Sequence, residues 1–263
     1  MNFAPKKSLG QNFLLNKQII KDIVELGQIT NENTVIEIGP GTGNLTEEIL
    51  KKKPKKFFAI EKDQNLYFKL KDKFQSNLEL INQDVLNVDW NNFSNSQCLV
   101  FGNLPYNISA KLLIDWIRLN NLNTLFKKFI LMFQKEVAER IIAETDTKNY
   151  GRLAVLSSWK LKIEKVIDVS PGSFYPIPKV KSTVLLIKPK NEYFNLKNPK
   201  NLEHITNIFF NQRRKMIKKP LNIIFKNVNE ISNKLDININ DRPQNLSSLK
   251  YFEICKEFEN LNS

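Results

Sequence analysis

The stretch Thr34-Val35-Ile36-Glu37-Ile38-Gly39-Pro40-Gly41-Thr42-Gly43 decides how this chain folds. Its first five residues are rich in β-branched side chains and read as a buried strand. Three glycines at alternate positions then turn the chain, and Asn44 to Leu50 takes helical spacing. A strand, a glycine-rich turn and a helix form the first unit of a doubly wound, mostly parallel, Rossmann-like α/β sheet. In such a turn glycines, Gly39 and Gly41 among them, let the backbone approach a nucleotide-like ligand closely. Dinucleotide-binding folds share that outline, so the turn alone does not name the ligand.

The next strands repeat the arrangement. Lys56-Phe57-Phe58-Ala59-Ile60-Glu61 is a strand that ends in an acid, where a carboxylate can grip ribose hydroxyls. Leu78 to Asp84 is a third strand, again ending in an acid. Asp84 has two readings, an acceptor for the amine of a bound adenine and a helix N-cap. The fourth strand is Leu99-Val100-Phe101-Gly102, followed by Asn103-Leu104-Pro105-Tyr106. That tetrapeptide suits chemistry on an exocyclic base amine, a poor nucleophile whose lone pair is delocalised into the ring. The Asn103 side-chain carbonyl can accept from one N–H and the Leu104 backbone carbonyl from the other. Pro105 fixes the turn and brings no N–H of its own. Tyr106 offers a flat face to a base taken out of its stack. Four strands thus carry their functional residues at their C-terminal ends, the edge where open α/β sheets place a site.

Before this sheet, Gln11 and Asn12 lie in an amide-rich segment that Phe13 and Leu14 can anchor beside a pocket, and Ile19 to Leu26 has helical spacing. After it, Ser109 to Leu119 reads as an amphipathic helix, Phe129 to Phe133 as a buried strand, and Leu153 to Trp159 as an apolar stretch covering the sheet. Val166 to Val169 and Ser182 to Ile187 read as the last strands. The loop between them holds three prolines and presents Phe174 and Tyr175. Phe174 is placed to close over a flipped base. Tyr175 suits either that role or packing on the core. Near Pro189 strands give way to helical spacing, which divides the chain into residues 1–188 and a small all-helical domain, 189–263. In the second domain an amphipathic helix is expected to carry Phe210-Asn211-Gln212-Arg213-Arg214-Lys215. His204 to Asn229 holds six basic residues and no acid, so Arg213, Arg214 and Lys215 are candidates for phosphate contact.

The formal net charge of +13 favours a polyanionic partner, although an AT-rich coding sequence also enriches lysine and asparagine. Cys98 and Cys255 lack metal or redox spacing, which argues against a disulfide framework and for a reducing compartment. The first fifteen residues lack the apolar core of a signal peptide, and no apolar run approaches membrane-spanning length. A cytoplasmic monomer with no metal and no membrane association is expected.

Together these motifs resemble one family, the small-subunit ribosomal RNA adenine dimethyltransferases. The resemblance rests on Leu9-Gly-Gln-Asn-Phe-Leu14, Glu37-Ile-Gly-Pro-Gly-Thr-Gly43, Ala59-Ile-Glu61, Asp84, Asn103-Leu-Pro-Tyr106, Phe174-Tyr-Pro-Ile-Pro-Lys-Val180 and Phe210-Asn-Gln-Arg-Arg-Lys215. It implies S-adenosylmethionine as methyl donor, with cofactor contacts at Asn12, Leu14, Gly39, Glu61, Asp84 and Asn103. It implies a substrate in the small ribosomal subunit: two adjacent adenosines in a hairpin near the 3′ end of its rRNA, each dimethylated at N6 by direct transfer. One departure is visible. The family usually carries Arg-Ala-Glu before Leu-Ser, whereas this chain has Arg242-Pro243-Gln244-Asn245-Leu246-Ser247. Two alternatives share much of the pattern, a large-subunit rRNA methylase of the drug-resistance type and a mainly non-catalytic ribosome-assembly factor.

Overall fold

The computed structural model describes residues 5–6, 10–93 and 97–261. Lys7, Ser8 and Leu9 of the amide-rich segment lie outside the described residues. In chain order the first half forms β1 (Phe13–Leu14), α1 (Lys17–Gly27), β2 (Thr34–Ile38), α2 (Asn44–Lys51), β3 (Lys56–Glu61), α3 (Gln64–Phe74), β4 (Glu79–Asn82), β5 (Cys98–Asn103), α4 (Ser109–Ile117) and α5 (Leu122–Leu125). The second half forms β6 (Phe126–Gln134), α6 (Lys135–Ile141), α7 (Arg152–Lys160), β7 (Leu161–Val169), β8 (Phe174–Tyr175), β9 (Ser182–Pro189), α8 (Pro199–Phe210), α9 (Lys218–Ile224), α10 (Val228–Leu235) and α11 (Ser248–Leu261).

Seven strands make one sheet in the order β4-β3-β2-β5-β6-β9-β7. The ladders from β4 to β6 are parallel, and β9 runs antiparallel to β6. The doubly wound, mostly parallel sheet expected from the sequence is therefore present. Parallel strands covered on both faces need apolar side chains on both. Accordingly β2 is buried at every position, and β5 at all but Asn103. Helix α1 turns Ile20, Ile23 and Val24 inward, where they join a core with Val35, Leu99, Phe101 and Ile130. Its start is fixed by Asn16, whose side chain accepts from the N–H groups of Gln18 and Ile19. Trp90, Trp116, Phe126 and Phe129 form a second buried cluster with ring centroids 4.7–6.1 Å apart.

The chain divides into two compact units, 1–138 with 162–189 and 139–161 with 190–263. One break falls at Pro189, and residues 139–161, which the sequence reading placed with 1–188, group with 190–263. The apolar stretch in α7 does not serve the sheet as expected. Its Ala154, Val155, Leu156 and Trp159 are buried, and it packs against α8 and α11. Trp159 Nε1 donates to the Phe194 carbonyl at 2.7 Å, and the Lys190 N–H donates to the Lys160 carbonyl at 2.8 Å. A helix buried nearly all round has no single apolar stripe to show which partner it covers.

The basic segment is also not helical. Helix α8 ends at Phe210, and Asn211 to Arg214 form turns before α9 begins. The Ile217 and Lys218 N–H groups bond to the carbonyls of Asp241 and Ile239, which holds the chain out of a continuing helix. Helix α11 is capped by Ser247, whose Oγ accepts from the Lys250 N–H. Near its other end, buried Glu259 accepts from the N–H groups of Lys197 (2.8 Å) and Asn198 (3.0 Å) and from the Asn201 amide (3.1 Å). Burial alone would raise its pKa; these donors outweigh that cost and hold it below the usual value.

Because the folded-state pKa of Glu259 is lowered, its stabilisation is present above the unfolded-state pKa and is lost as pH falls through the folded-state one. Glu259→Gln should therefore lower the melting temperature at pH 7, and the gap to the parent protein should narrow as pH drops below about 4. Thermal melts of both proteins between pH 3 and pH 7 check this. A gap that does not change with pH counts against the ionised carboxylate as its source.

Candidate active site

The chain order reverses between β2 and β5, which run side by side with Ile38 opposite Gly102. In open α/β sheets such a switch point leaves a crevice at the carboxyl ends of the strands. The cleft here opens at that place, lined by Gly39, Gly41, Glu61, Asp84, Asn103 and Tyr106 among others. The register makes Gly39 and Asn103 neighbours, although 64 positions separate them in the sequence.

Gly39 and Gly41 adopt positive φ angles of 66° and 60°. Nothing lies within 4 Å of a Cβ built on Gly39, whereas one on Gly41 would meet the Phe13 ring at 2.8 Å. The turn therefore exposes backbone to the cleft at Gly39 and packs tightly under the N-terminal segment at Gly41. Glu61, at the end of β3, is buried and ties this turn to the next. Its Oε2 accepts from the Gly41 N–H at 3.2 Å and its Oε1 from the Asp63 N–H at 2.8 Å. The Lys62 backbone N–H also acts on this carboxylate and favours its ionised form. Burial raises the pKa of Glu61 against the lowering effect of those bonds. Asp84 fulfils the capping reading, since Oδ1 accepts from the Leu86 N–H at 3.0 Å. Its Oδ2 pairs with Lys62 at 2.7 Å, a bond that lowers its pKa, and the residue also lines the cleft.

The N-terminal segment is bound over this edge as a strap. Phe13 and Leu14 pair antiparallel with Tyr175 and Phe174. The Asn44 amide donates to the Leu14 carbonyl at 2.8 Å. Buried Asp63 receives the Gln11 amide and the Lys6 ammonium, each bond 3.0 Å long. Asn12 adds the contact that matters most for chemistry: its backbone carbonyl accepts from Asn103 Nδ2 at 2.7 Å. A carbonyl can only accept, so this bond takes one of the two N–H groups of the Asn103 amide and identifies Oδ1 as its acceptor end. Leu104 and Tyr106 follow in the cleft wall, and the Tyr106 hydroxyl lies 2.9 Å from Oγ of Ser182.

These features suit S-adenosylmethionine. The turn offers free backbone beside a buried acid, and the strap supplies apolar cover through Phe13 and Leu14. Phe174 is a different case. The sequence reading puts its ring over a flipped base, but it is 2 % exposed and packs in the core with Leu14 and Val169. Pairing with Leu14 directs Phe174 inward and its neighbour outward, because strand residues alternate in direction. Tyr175 is the exposed member, at 56 %. A base could reach the Phe174 ring only after the β1–β8 ribbon moved.

Among the described residues, no group of three or more His, Cys, Asp or Glu could hold a metal, and no helix is long and apolar enough to cross a membrane. The family model for ribosomal RNA adenine dimethylase matches residues 2–260. The chain belongs to the ribosomal RNA adenine dimethylase family. It is 53% identical over 256 residues to a ribosomal RNA small subunit methyltransferase A of Pelagibacter ubique, covering 97% of each chain. A protein of the same name from Wolbachia pipientis is 43% identical over 246 residues, covering 92% of each. Among solved structures, a dimethyladenosine transferase from Plasmodium falciparum superposes with a TM-score of 0.82 at 29% identity, covering 95% of this chain and 98% of that one. The fold is also that of the 23S rRNA methyltransferase ErmE, with a TM-score of 0.68 at 22% identity, covering 95% of this chain and all of that one.

Arg213 is committed within its own unit. Nη2 donates to the Lys148 carbonyl at 2.6 Å, and Nε donates to Oε1 of Gln244 at 3.2 Å. Gln244, where the sequence departs from the family pattern, accepts this bond through its side-chain oxygen. Arg214 and Lys215 are exposed. Two functional candidates escaped the sequence reading: Asp63 and Ser182. Asp63 had a signal, as the acid that N-caps α3 two residues after Glu61. Ser182 had none, since its partner is 76 positions away.

Glu37 lies beneath the glycine turn, fully buried, with Thr46 Oγ1 donating to its Oε2 at 2.7 Å. Burial raises its pKa from 4.5 to about 8, with a further push from the charge of Glu61. The folded state then holds a proton there that the unfolded chain has released, so stability falls as pH rises from about 4.5 to about 8. Glu37→Gln, which needs no proton, should gain melting temperature relative to the parent across that window. Differential scanning calorimetry at pH 5, 6.5 and 8 reads the trend, and equal gaps at all three values would place the ionised form in the fold.

Proposed function

We propose that this protein dimethylates N6 of two adjacent adenosines near the 3′ end of small-subunit rRNA, using S-adenosylmethionine. The observation that carries the reading is the orientation of Asn103. Its nitrogen donates to the Asn12 carbonyl at 2.7 Å and the residue lines the cleft, so Oδ1 is the end of the amide that can accept from a base amine. The family and its relatives named small subunit methyltransferase A support this substrate over a large-subunit one.

Bound S-adenosylmethionine supplies an electrophilic methyl group. Gly39, Gly41, Asn12, Leu14, Glu61, Asp84 and Asn103 are the residues that would hold it. Asn103 Oδ1 and the Leu104 carbonyl accept from the two N–H groups of the target amine. They draw its nitrogen toward tetrahedral geometry and so free its lone pair for attack. Tyr106 carries the base on its ring. No side chain needs to act as a strong base, because the nitrogen becomes acidic once it gains a methyl group. Rate enhancement then comes from positioning and from fixed dipoles in a partly dry cleft.

Transfer of labelled methyl groups from S-adenosylmethionine to small ribosomal subunits lacking the modification is the direct test. The parent protein should label these subunits and not large ones. Asn103→Ala should lose on the order of 10²-fold or more in turnover, the scale for removing one transition-state hydrogen bond. It should still melt as a folded protein and bind the subunit. Near-parental labelling by this variant would remove Asn103 from the chemistry.

A second expectation separates the basic residues. If Arg214 and Lys215 meet phosphates, replacing both with Ala should reduce the log–log salt slope of RNA affinity by roughly two units, one for each lost contact. Arg213→Ala should instead lower the melting temperature, since its guanidinium holds the Lys148 carbonyl and Gln244. Salt-dependent binding and thermal melts on both variants check the division, and a slope that changes only with Arg213 reverses it.

A further inference from the structure

Tyr106 follows Pro105 in the turn between β5 and α4, outside any strand ladder. Its backbone carbonyl accepts from Ser109 Oγ at 3.3 Å, but its half-buried ring is free of the sheet's own hydrogen bonds. Two side-chain torsions set where that ring lies. What fixes them is at the far end of the side chain, where the phenol meets Oγ of Ser182 at 2.9 Å. Among the described residues Tyr106 is the hydrogen-bond partner of that serine hydroxyl.

Ser182 is a rigid anchor. It has no solvent exposure, begins β9, and sits opposite Gln134 in the β6–β9 ladder. Beside it, the Lys135 N–H bonds to the Lys181 carbonyl at 2.9 Å, and Thr183 Oγ1 donates to Asp168 at 2.7 Å. Ser182 also ends the proline-rich loop that begins after β8. The platform for the base and the close of that loop therefore share one hydrogen bond. Burial raises the phenol pKa above its usual value, so the hydroxyl keeps the proton that this bond needs at neutral pH.

We propose that Ser182 is a positioning residue for methyl transfer, holding the Tyr106 ring in the plane on which the target adenine stacks. The proposal rests on the reading of Tyr106 given above. A stacked base must present its amine to Asn103 Oδ1 and the Leu104 carbonyl together, so a ring that tilts costs alignment at both. Alignment of this kind appears in turnover more than in binding, because phosphate contacts elsewhere dominate affinity for the RNA.

The test is a double-mutant cycle with Ser182→Ala and Tyr106→Phe, each of which removes the same bond while keeping an aromatic platform. Each should lower kcat about three- to tenfold, the scale of one neutral hydrogen bond. KM for the small subunit and the Kd of S-adenosylmethionine should stay within about twofold. The double variant should be no slower than either single one, since the bond can be lost only once. Additive losses, or a change confined to melting temperature with kcat intact, would overturn the proposal. Tyr106→Ala tells the two readings apart. If it methylates at the parental rate, the stacking role itself fails. If it is inactive while Ser182→Ala and Tyr106→Phe are unaffected, only the positioning role fails.

Discussion

The pairing of β2 with β5 is the constraint on which the rest of the site depends. These strands are distant in sequence, and their parallel register sets Ile38 against Gly102. The glycine turn and the Asn103 tetrapeptide therefore leave the sheet at one level, one at each side of the switch point. The register sets Val35 beside Leu99, and these pack with Phe101 in one core on one face of the sheet, so a slip would break that packing.

The strap is the second condition. Asn103 lines the cleft with its amide nitrogen tied to the Asn12 carbonyl. Asn12 is held in turn by Phe13 and Leu14 on β8 and by Asn44 and Asp63 beside it. The orientation of one amide is the end of a chain of contacts that starts in the first residues of the protein. The carboxylates beneath the turn show the same economy. Glu61 sets one oxygen against the Gly41 N–H and the other against the Asp63 N–H, and so holds two turns with one side chain.

What the sequence disclosed, and what it hid, follows from how local each cause is. Strands β2 and β3 begin and end where their β-branched and aromatic runs do, at Thr34–Ile38 and Lys56–Glu61. The glycine turn, Glu61 and Asn103 could be placed because a strand end in a doubly wound sheet is itself a location. The fate of α7 could not, because an apolar helix carries no mark of the surface it will meet. The basic stretch reads as helix by spacing, yet the carbonyls of Asp241 and Ile239 divert it. Phe174 and Tyr175 are adjacent aromatics, and only the pairing of β8 with β1 tells which one turns inward. The hydroxyl contact of Ser182 with Tyr106 is a long-range fact with no local trace.

The helical unit is assembled from two separate stretches of chain, 139–161 and 190–263. That discontinuity has a consequence for synthesis. Residues 139–161 leave the ribosome well before the helices that cover α7 exist, so its buried Trp159 and Leu156 must wait uncovered while β7, β8 and β9 are made. The same logic governs any attempt to cut the chain at Pro189. Such a cut does not release two intact modules, because it orphans an apolar helix inside the fragment that remains. Each unit is compact in itself, yet the two are interleaved as lengths of polypeptide.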